Sequence, residues 1–245
     1  MRAKKKKSNL LYKLMMAVLC VIIALCLFNI GKILYGYHEG TKTYNEVQKV
    51  AGTEKFDIDN VDFDALKKQN EDIKGWLYSK DTVINYPVVQ GKDNDYYLYR
   101  MFNREWNGKG SLFIDYRCNK PFKDFNTIIY GHRMKDGSML HSITKYSDEE
   151  YYKKHKTMLL RTPDKKYKLK IFAIARIPDD SQLYKNVFFS DDEKEAYIDR
   201  VKEINETKMD DVEITASDKI VMLSTCTREL DDDRIVVYGK LEEIR

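Results

Sequence analysis

From Leu14 to Ile30 the chain carries no charged residue. With the flanks Leu10–Tyr12 and Ile33–Tyr35 it is long enough to cross a bilayer as one helix. Lys13 and Lys32 have stems that let their ammonium groups snorkel to the headgroups. Such a run is predicted to divide the chain into a basic tail (1–9), a spanning helix (10–35), and a remainder that folds apart from both. The residues after the run, Gly31-Lys32-Ile33-Leu34-Tyr35, offer no small-x-small cleavage pattern, so an uncleaved anchor is expected rather than a removed signal peptide. Arg2 and Lys4 to Lys7 precede it, and the positive-inside rule then leaves the tail in the cytoplasm and residues 36–245 outside the cell membrane.

Charge supports that division. The whole chain has 43 Lys+Arg against 39 Asp+Glu, but the first 34 residues hold seven of the bases and no acid. The remainder has 36 bases and 39 acids, a net charge of −3. The basic excess is therefore a topology signal, and no nucleic-acid partner is expected. Of four cysteines, Cys20 and Cys26 fall in the apolar run and read as small apolar residues. Cys118 and Cys226 lie beyond it. A single bridge between them is possible in an oxidising compartment, but small exported folds that rely on staples usually carry more, so two free thiols are expected.

Residues 36–74 read as a polar juxtamembrane stalk or helix followed by a short helix after the acidic start at 57–64. Residues 75–245 change character. Short β-like runs separated by turn signals occur at 75–78, 83–89, 110–115, 126–130, 157–162, 166–177, 219–226 and 234–241. Two helices interrupt them, each opening on a Ser-x-x-Glu pattern, Ser147…Glu150 and Ser190…Glu193, the second running to about Thr207. Eight short strands with few helices predict a mainly β fold, a closed or nearly closed barrel with helical insertions.

Cys226 ends the apolar run Ile220-Val221-Met222-Leu223, and Arg234 opens the next one. If these are antiparallel neighbours joined by a polar loop at 227–233, the two residues oppose each other, and opposed side chains share a face. A fixed cation beside a thiol favours the nucleophilic thiolate. Among four histidines, His132 stands where the strand Thr127-Ile128-Ile129-Tyr130 gives way to a loop, the usual place for a functional group held on a rigid scaffold. His141 and His155 lie in charged surroundings and read as surface residues. By strand alternation Ser224 shares the face of Cys226. Asp231-Asp232-Asp233 reads as a solvated turn, and no metal or other cofactor is expected. Tyr96 and Tyr97 read as barrel packing, and 176–189 as one wall of a groove.

Tyr130-Gly131-His132-Arg133-Met134-Lys135-Asp136-Gly137-Ser138-Met139, Leu223-Ser224-Thr225-Cys226 and Arg234 resemble the histidine, cysteine and arginine motifs of the sortases. The runs 84–91, 93–98 and 110–117 are similar to class B members, and the likeness extends over about residues 75–241. It implies an eight-stranded sortase barrel with N-terminal helices and a long helix before the cysteine strand. The implied activity is that of a membrane-anchored cysteine transpeptidase of a Gram-positive bacterium. Such an enzyme cuts a C-terminal sorting motif of a secreted protein and joins the new end to a peptidoglycan amine. Class B members favour motifs of the Asn-Pro-x-Thr-Asn type, with Pro-x-Thr-Gly variants also known in the family. The likeness also marks Asn94, Leu98, Tyr130 and Ser224 as substrate-groove positions. This chain departs from the usual pattern at Met222, where a threonine is common.

Residue chemistry then assigns roles. Cys226 as thiolate attacks the scissile carbonyl and forms a thioacyl enzyme. His132 moves protons near neutral pH. Arg234, permanently charged, steadies the substrate and the developing oxyanion. The chain order, histidine before cysteine, is the reverse of the papain arrangement. Two other functions stay open on sequence alone: a membrane-tethered cysteine endopeptidase that only hydrolyses, and a non-catalytic binding barrel.

Overall fold

The computed structural model describes residues 5–54, 58–228 and 231–244, with side chains for 10–54, 58–225 and 233–244. The chain forms two compact units, residues 1–41 and 42–245. The first is helical and carries the apolar run, whose side chains are exposed throughout, as a helix that could serve as a membrane span requires. The helix α1 (Lys5–Ala51) is continuous, so of the two expectations for the polar stretch, stalk or helix, it is helix as far as Ala51.

In the second unit, the end of α1 buries Tyr44, Val47 and Ala51, and Gln48 Nε2 donates to the Asn85 carbonyl at 2.9 Å. The short helix α2 (Phe63–Gln69) starts at Asp62, whose carboxylate accepts from the Ala65 amide and so satisfies one of the donors every helix N-terminus leaves open. Eight strands follow: β1 (Ile73–Tyr78), β2 (Asn85–Val89), β3 (Leu112–Ile114), β4 (Asn126–Gly131), β5 (Thr157–Arg161), β6 (Lys166–Pro178), β7 (Ile220–Arg228) and β8 (Asp231–Ile244). They close in the order β1-β2-β3-β4-β7-β8-β6-β5, with β5 returning to β1. Each expected run contains a strand, and the closed eight-stranded barrel is the expected one.

Two neighbour pairs are parallel, β2 with β3 and β4 with β7; the others are antiparallel. The parallel pair β4–β7 explains why 127–130 and 220–223 are near-continuous apolar runs rather than alternating ones. Both faces of this pair are covered, so every position must tolerate burial. On one face α4 (Asp191–Glu203) packs Tyr197, Ile198 and Val201 against Ile128, Ala175, Met222, Val236 and Tyr238. Full burial of each large apolar side chain contributes about 1.5–3 kcal/mol, so this face is a main source of stability. Met222, the position that departs from the common motif, is fully buried in this cluster.

Several local expectations are corrected. The first capping box is not used: α3 (Glu149–Lys154) is capped by Asp148, whose carboxylate accepts from the Glu150 and Tyr151 amides, while Ser147 donates back to the Thr144 carbonyl. Ser190 does cap α4, accepting from the Glu193 amide at 3.2 Å, but the Glu193 carboxylate takes the Phe189 amide, and the helix stops at Glu203. The loop expected at 227–233 is shorter, because backbone pairing continues through Arg228↔Asp231. Asp231 to Asp233 therefore lie in β8, not in a turn, with Asp233 paired to Pro178. Tyr97 is core, whereas Tyr96 is exposed and meets it edge-on. His141 and His155 are half-buried rather than surface residues, and His141 Nδ1 bonds the Met134 carbonyl at 2.8 Å.

Candidate active site

The site begins with register. The parallel ladder between β4 and β7 pairs Tyr130 with Ser224 and Gly131 with Thr225, and ends there. The next residue on each strand is His132 on one and Cys226 on the other. On the far side of β7 the antiparallel ladder pairs Cys226 with Arg234. Adjacent strands lie about 4.8 Å apart, so three consecutive strands deliver the three residues to one end of the barrel. The side chain of Cys226, and with it the expected sharing of a face with Ser224, lies outside the described residues.

Gly131 is required just before His132. A Cβ there would stand 2.4 Å from a Leu112 methyl and 2.8 Å from Leu140 Cγ. The imidazole is half-buried, and its Nε2 lies 2.6 Å from the Leu98 carbonyl oxygen. A carbonyl only accepts, so Nε2 carries a proton, and Nδ1 is the nitrogen that can change protonation while this bond holds. The Tyr99 ring lies 5.7 Å from the imidazole. Leu98 thus meets His132 through its backbone. Gly110 lets that backbone pass: with φ +57°, any Cβ would fall 2.3 Å from the Leu98 oxygen.

Arg234 keeps a charged partner. Its Nη2 lies 3.1 Å from Asp179 Oδ2 in the segment after β6, and its Nη1 donates to the Asp233 carbonyl at 3.2 Å. Cys118 is free and buried, which excludes a bridge to Cys226. Burial pushes its thiol up to about 11, so it stays protonated and unreactive near neutral pH.

The remaining expected site residues are joined by one acid that sequence reading did not single out. Asp115, at the end of β3, has a side chain with no exposed surface. Its Oδ2 accepts from the Tyr130 hydroxyl at 2.9 Å, from Asn94 Nδ2 at 3.3 Å and from Arg117 Nη2 at 2.7 Å. Its Oδ1 accepts from Arg117 Nε and from the Arg117 amide, both at 2.9 Å. Burial works against the charge, but these donors outweigh it and hold the carboxyl below the usual range. Burial, then the charge of Asp115, pushes the Tyr130 phenol well up, so it remains a neutral donor. Asn94 is fixed from its other side by the Tyr116 amide, which donates to Oδ1 at 3.1 Å.

Tyr130 stacks on Tyr184 at 6.0 Å and 28°, and the Tyr184 hydroxyl is hydrogen bonded to Ser224 Oγ at 2.9 Å. Asn94, Tyr130, Tyr184 and Ser224 are therefore connected through one set of contacts, to which the 176–189 segment contributes Tyr184, while its Asp179 pairs with Arg234. The Asp115-x-Arg117 spacing, an acid accepting from its own backbone two residues on, is the one sequence signal that could have exposed the hub.

A second buried charge holds the loop after His132. Lys109 is 1% exposed, and its ammonium is bonded to Asp136 and, at 2.7 Å, to Ser138 Oγ. Ser138 also donates to Asp136 Oδ1 at 2.6 Å. The Leu140 amide donates to the His132 carbonyl, and Arg133 bridges Met139, so the loop closes on itself around this pair. Among the described residues no group of acids, histidines and cysteines is arranged to hold a metal ion.

Residues 79–242 match the family described as Sortase domain. The chain is 40% identical over 178 residues to sortase B of Listeria monocytogenes, spanning 72% of each protein. It is 34% identical over 184 residues to sortase B of Staphylococcus aureus, 74% of this chain and 75% of that one. The structure of a Staphylococcus aureus sortase B–substrate complex superposes with a TM-score of 0.77 at 31% identity, covering 85% of this chain and 98% of that one. Sortase B from B. anthracis in complex with AAEK1 gives 0.76 at 36% identity, with 86% and 100% covered. With barrel, register and kinship in agreement, the chain belongs to the sortase family, in its sortase B branch, and is a cysteine transpeptidase.

Proposed function

We propose that the chain is anchored by its N-terminal helix, with the tail in the cytoplasm and the barrel outside. There it cleaves a C-terminal sorting motif of secreted proteins and transfers them to a peptidoglycan amine. The observation that carries this reading is the shared end of β4, β7 and β8, where the β4–β7 ladder ends at Gly131↔Thr225 and the next residue of β7, Cys226, pairs with Arg234.

In the first half-reaction the Cys226 thiolate attacks the scissile carbonyl carbon. The C–S bond forms, the C–N bond breaks, and His132 gives its Nδ1 proton to the leaving amine. In the second, the acceptor amine attacks the thioester. A new C–N bond forms, the C–S bond breaks to regenerate the thiolate, and His132 takes the amine proton. Arg234 faces the oxyanion in both tetrahedral intermediates, a contribution of about 2.7–4 kcal/mol in comparable sites. Its pairing with Asp179 holds the guanidinium in place between turnovers. Asn94, Leu98, Tyr130 and Ser224 contact the sorting peptide, with Tyr184 completing the wall. A groove wall of neutral donors and acceptors suits a motif rich in amide side chains, as the Asn-Pro-x-Thr-Asn class is.

The test is cleavage of a fluorogenic sorting peptide by the full-length protein in detergent, with and without an amine acceptor. Cys226→Ala and His132→Ala abolish cleavage, Cys118→Ala leaves it intact, and acceptor diverts product from the free acid to the amide. Normal turnover by Cys226→Ala would sink the mechanism. Product that stays free acid at every acceptor concentration would make the protein a hydrolase.

A further inference from the structure

Beside the starts of β4 and β7 lies a cleft of about 440 Å³. It is lined by the loop 117–125, by Asn186, Val187 and Phe188, by the first turn of α4 and by the loop 216–219 that leads into β7. Phe125 and Phe188 meet edge-on at 4.7 Å in its apolar part, and Val187 is half exposed. Most charges around it are matched: Arg117 pairs with Asp115, Lys194 with Asp191 and Asp218 with Lys240. Among the described residues no carboxylate pairs with Lys123 or Lys219, and the remaining acid, Asp124, accepts from the Lys120 amide. The lining therefore offers two unmatched cations against one acid. Asn186 adds an independent sign: both polar atoms of its carboxamide are shielded from solvent, and neither has a partner among the described residues. Leaving such groups unmet is costly, and a peptide bond supplies the one acceptor and one donor that a carboxamide needs.

The cleft continues the groove of the candidate active site. Asp115, which gathers Tyr130 and Asn94, is bonded to Arg117 on the cleft's rim. On the other side Tyr184 packs on Tyr130, and Asn186 and Phe188 follow it at alternate positions of the same segment. A peptide with its cut bond at Cys226 and its preceding residues on Ser224 and Tyr130 heads down β7 and β4 toward their starts. From Cys226 back to Ile220, β7 advances six residues, about 20 Å, and an extended peptide needs about six residues to cover that distance. We propose that the cleft is a second substrate subsite, taking an acidic stretch of the secreted protein about six to nine residues before the cut bond. Its carboxylates meet Lys123 and Lys219, a backbone amide meets Asn186, and an apolar side chain lies on Phe125 and Phe188. The assignment rests on the reading of Asn94, Tyr130 and Ser224 as the place of the sorting motif. Overall attraction does not produce the same preference: beyond the first 34 residues the chain has 36 bases and 39 acids, so an acidic flank is repelled except where cations gather locally.

The test compares two fluorogenic sorting peptides with the full-length protein in detergent. Each carries an extension of about nine residues before the motif, acidic in one and with Asn and Gln in place of Asp and Glu in the other. The acidic extension lowers KM about tenfold relative to its amide counterpart, the yield of two partly exposed ion pairs, while kcat changes less than about twofold. Lys123→Gln with Lys219→Gln brings the two peptides to the same KM. Lys67→Gln with Lys68→Gln, on the exposed face of α2, preserves the difference. A labelled acidic extension without the motif, titrated by fluorescence anisotropy, binds the wild type about tenfold more tightly than the Lys123/Lys219 variant. Equal KM for the two peptides, a difference that survives loss of Lys123 and Lys219, or one that vanishes with Lys67 and Lys68, overturns the proposal. If the protein cleaves no sorting peptide the reading of the motif groove falls, while the anisotropy titration still decides the cleft.

Discussion

The Lys109–Asp136 pair should respond very differently to loss of one partner or the other. Lys109 is 1% exposed and Asp136 is 25% exposed. Replacing Asp136 by Ala leaves a buried ammonium without its carboxylate, a situation that costs about 3–5 kcal/mol. Replacing Lys109 by Met fills the same space with an apolar stem and leaves an acid that can turn to water, at a cost of about 1 kcal/mol. In a domain of this size the first corresponds to a fall in Tm of about 6–20 °C and the second to about 2–4 °C. Combining the two substitutions removes the stranded charge, so the double variant should be more stable than Asp136→Ala alone. Acidity provides a second reading. Burial raises the Asp136 carboxyl, but the bonds from Lys109 and Ser138 outweigh this and hold it below its ordinary value. A carboxyl lowered on folding stabilises above its unfolded pKa, and the stabilisation is lost as pH falls through the folded value. The wild type therefore loses this contribution below about pH 4, and Lys109→Met flattens the decline. Thermal unfolding of the full-length chain and its three variants in detergent, at neutral and acidic pH, measures all of this. Equal costs for the two single substitutions, or a double variant as unstable as the sum of both, would refute the reasoning.

Other perturbations follow the same geometry. Gly110→Ala forces a Cβ to within 2.3 Å of the Leu98 oxygen at positive φ, so it should cost about 2–4 kcal/mol in unfolding experiments. By moving the carbonyl that holds His132 it should also lower kcat by more than its stability loss explains; wild-type kcat would show that the Leu98 contact is idle. Asp115→Asn removes the charge that gathers Tyr130 and Asn94, and should raise the KM for the sorting peptide about tenfold with a smaller change in kcat. A pure loss of kcat would contradict that positioning role. Arg234→Ala should reduce kcat about 10²–10³-fold, while Arg234→Lys recovers part of it by keeping charge without the planar fork; equal defects would argue against an electrostatic role.

The barrel was legible because its strands declare themselves locally. Covered strands such as β4 and β7 carry near-continuous apolar runs, and turn residues separate them from their neighbours. Boundaries were less legible where backbone pairing outruns side-chain pattern: Asp231 to Asp233 read as a turn because they are acidic, yet the hairpin ladder includes them. The choice of Asp148 over Ser147 as the helix cap turned on which residue the preceding 3-10 turn had already engaged. The placing of His132, Cys226 and Arg234 on neighbouring strand ends was legible from motif and spacing together. Asp115, Tyr184 and Lys109 were not, because each gains its significance from partners far away in the chain. An isolated lysine before a glycine gives no hint that its ammonium is sealed beneath the loop that follows His132.

The parallel pairing of β4 with β7 has a bearing on how the protein is made. Strand β4, which leads into His132, and β7, which carries Cys226, are separated in sequence by β5, β6, α3 and α4, and neither can be joined by a tight turn to the other. Contacts between such distant segments form late, after the loops between them have been closed. Arg234 arrives on the final strand. Cys226 is made only eight residues before Arg234, so the ends of β4, β7 and β8 can come together only when nearly the whole chain exists. Assembly of this end of the barrel is thereby tied to completion of the chain.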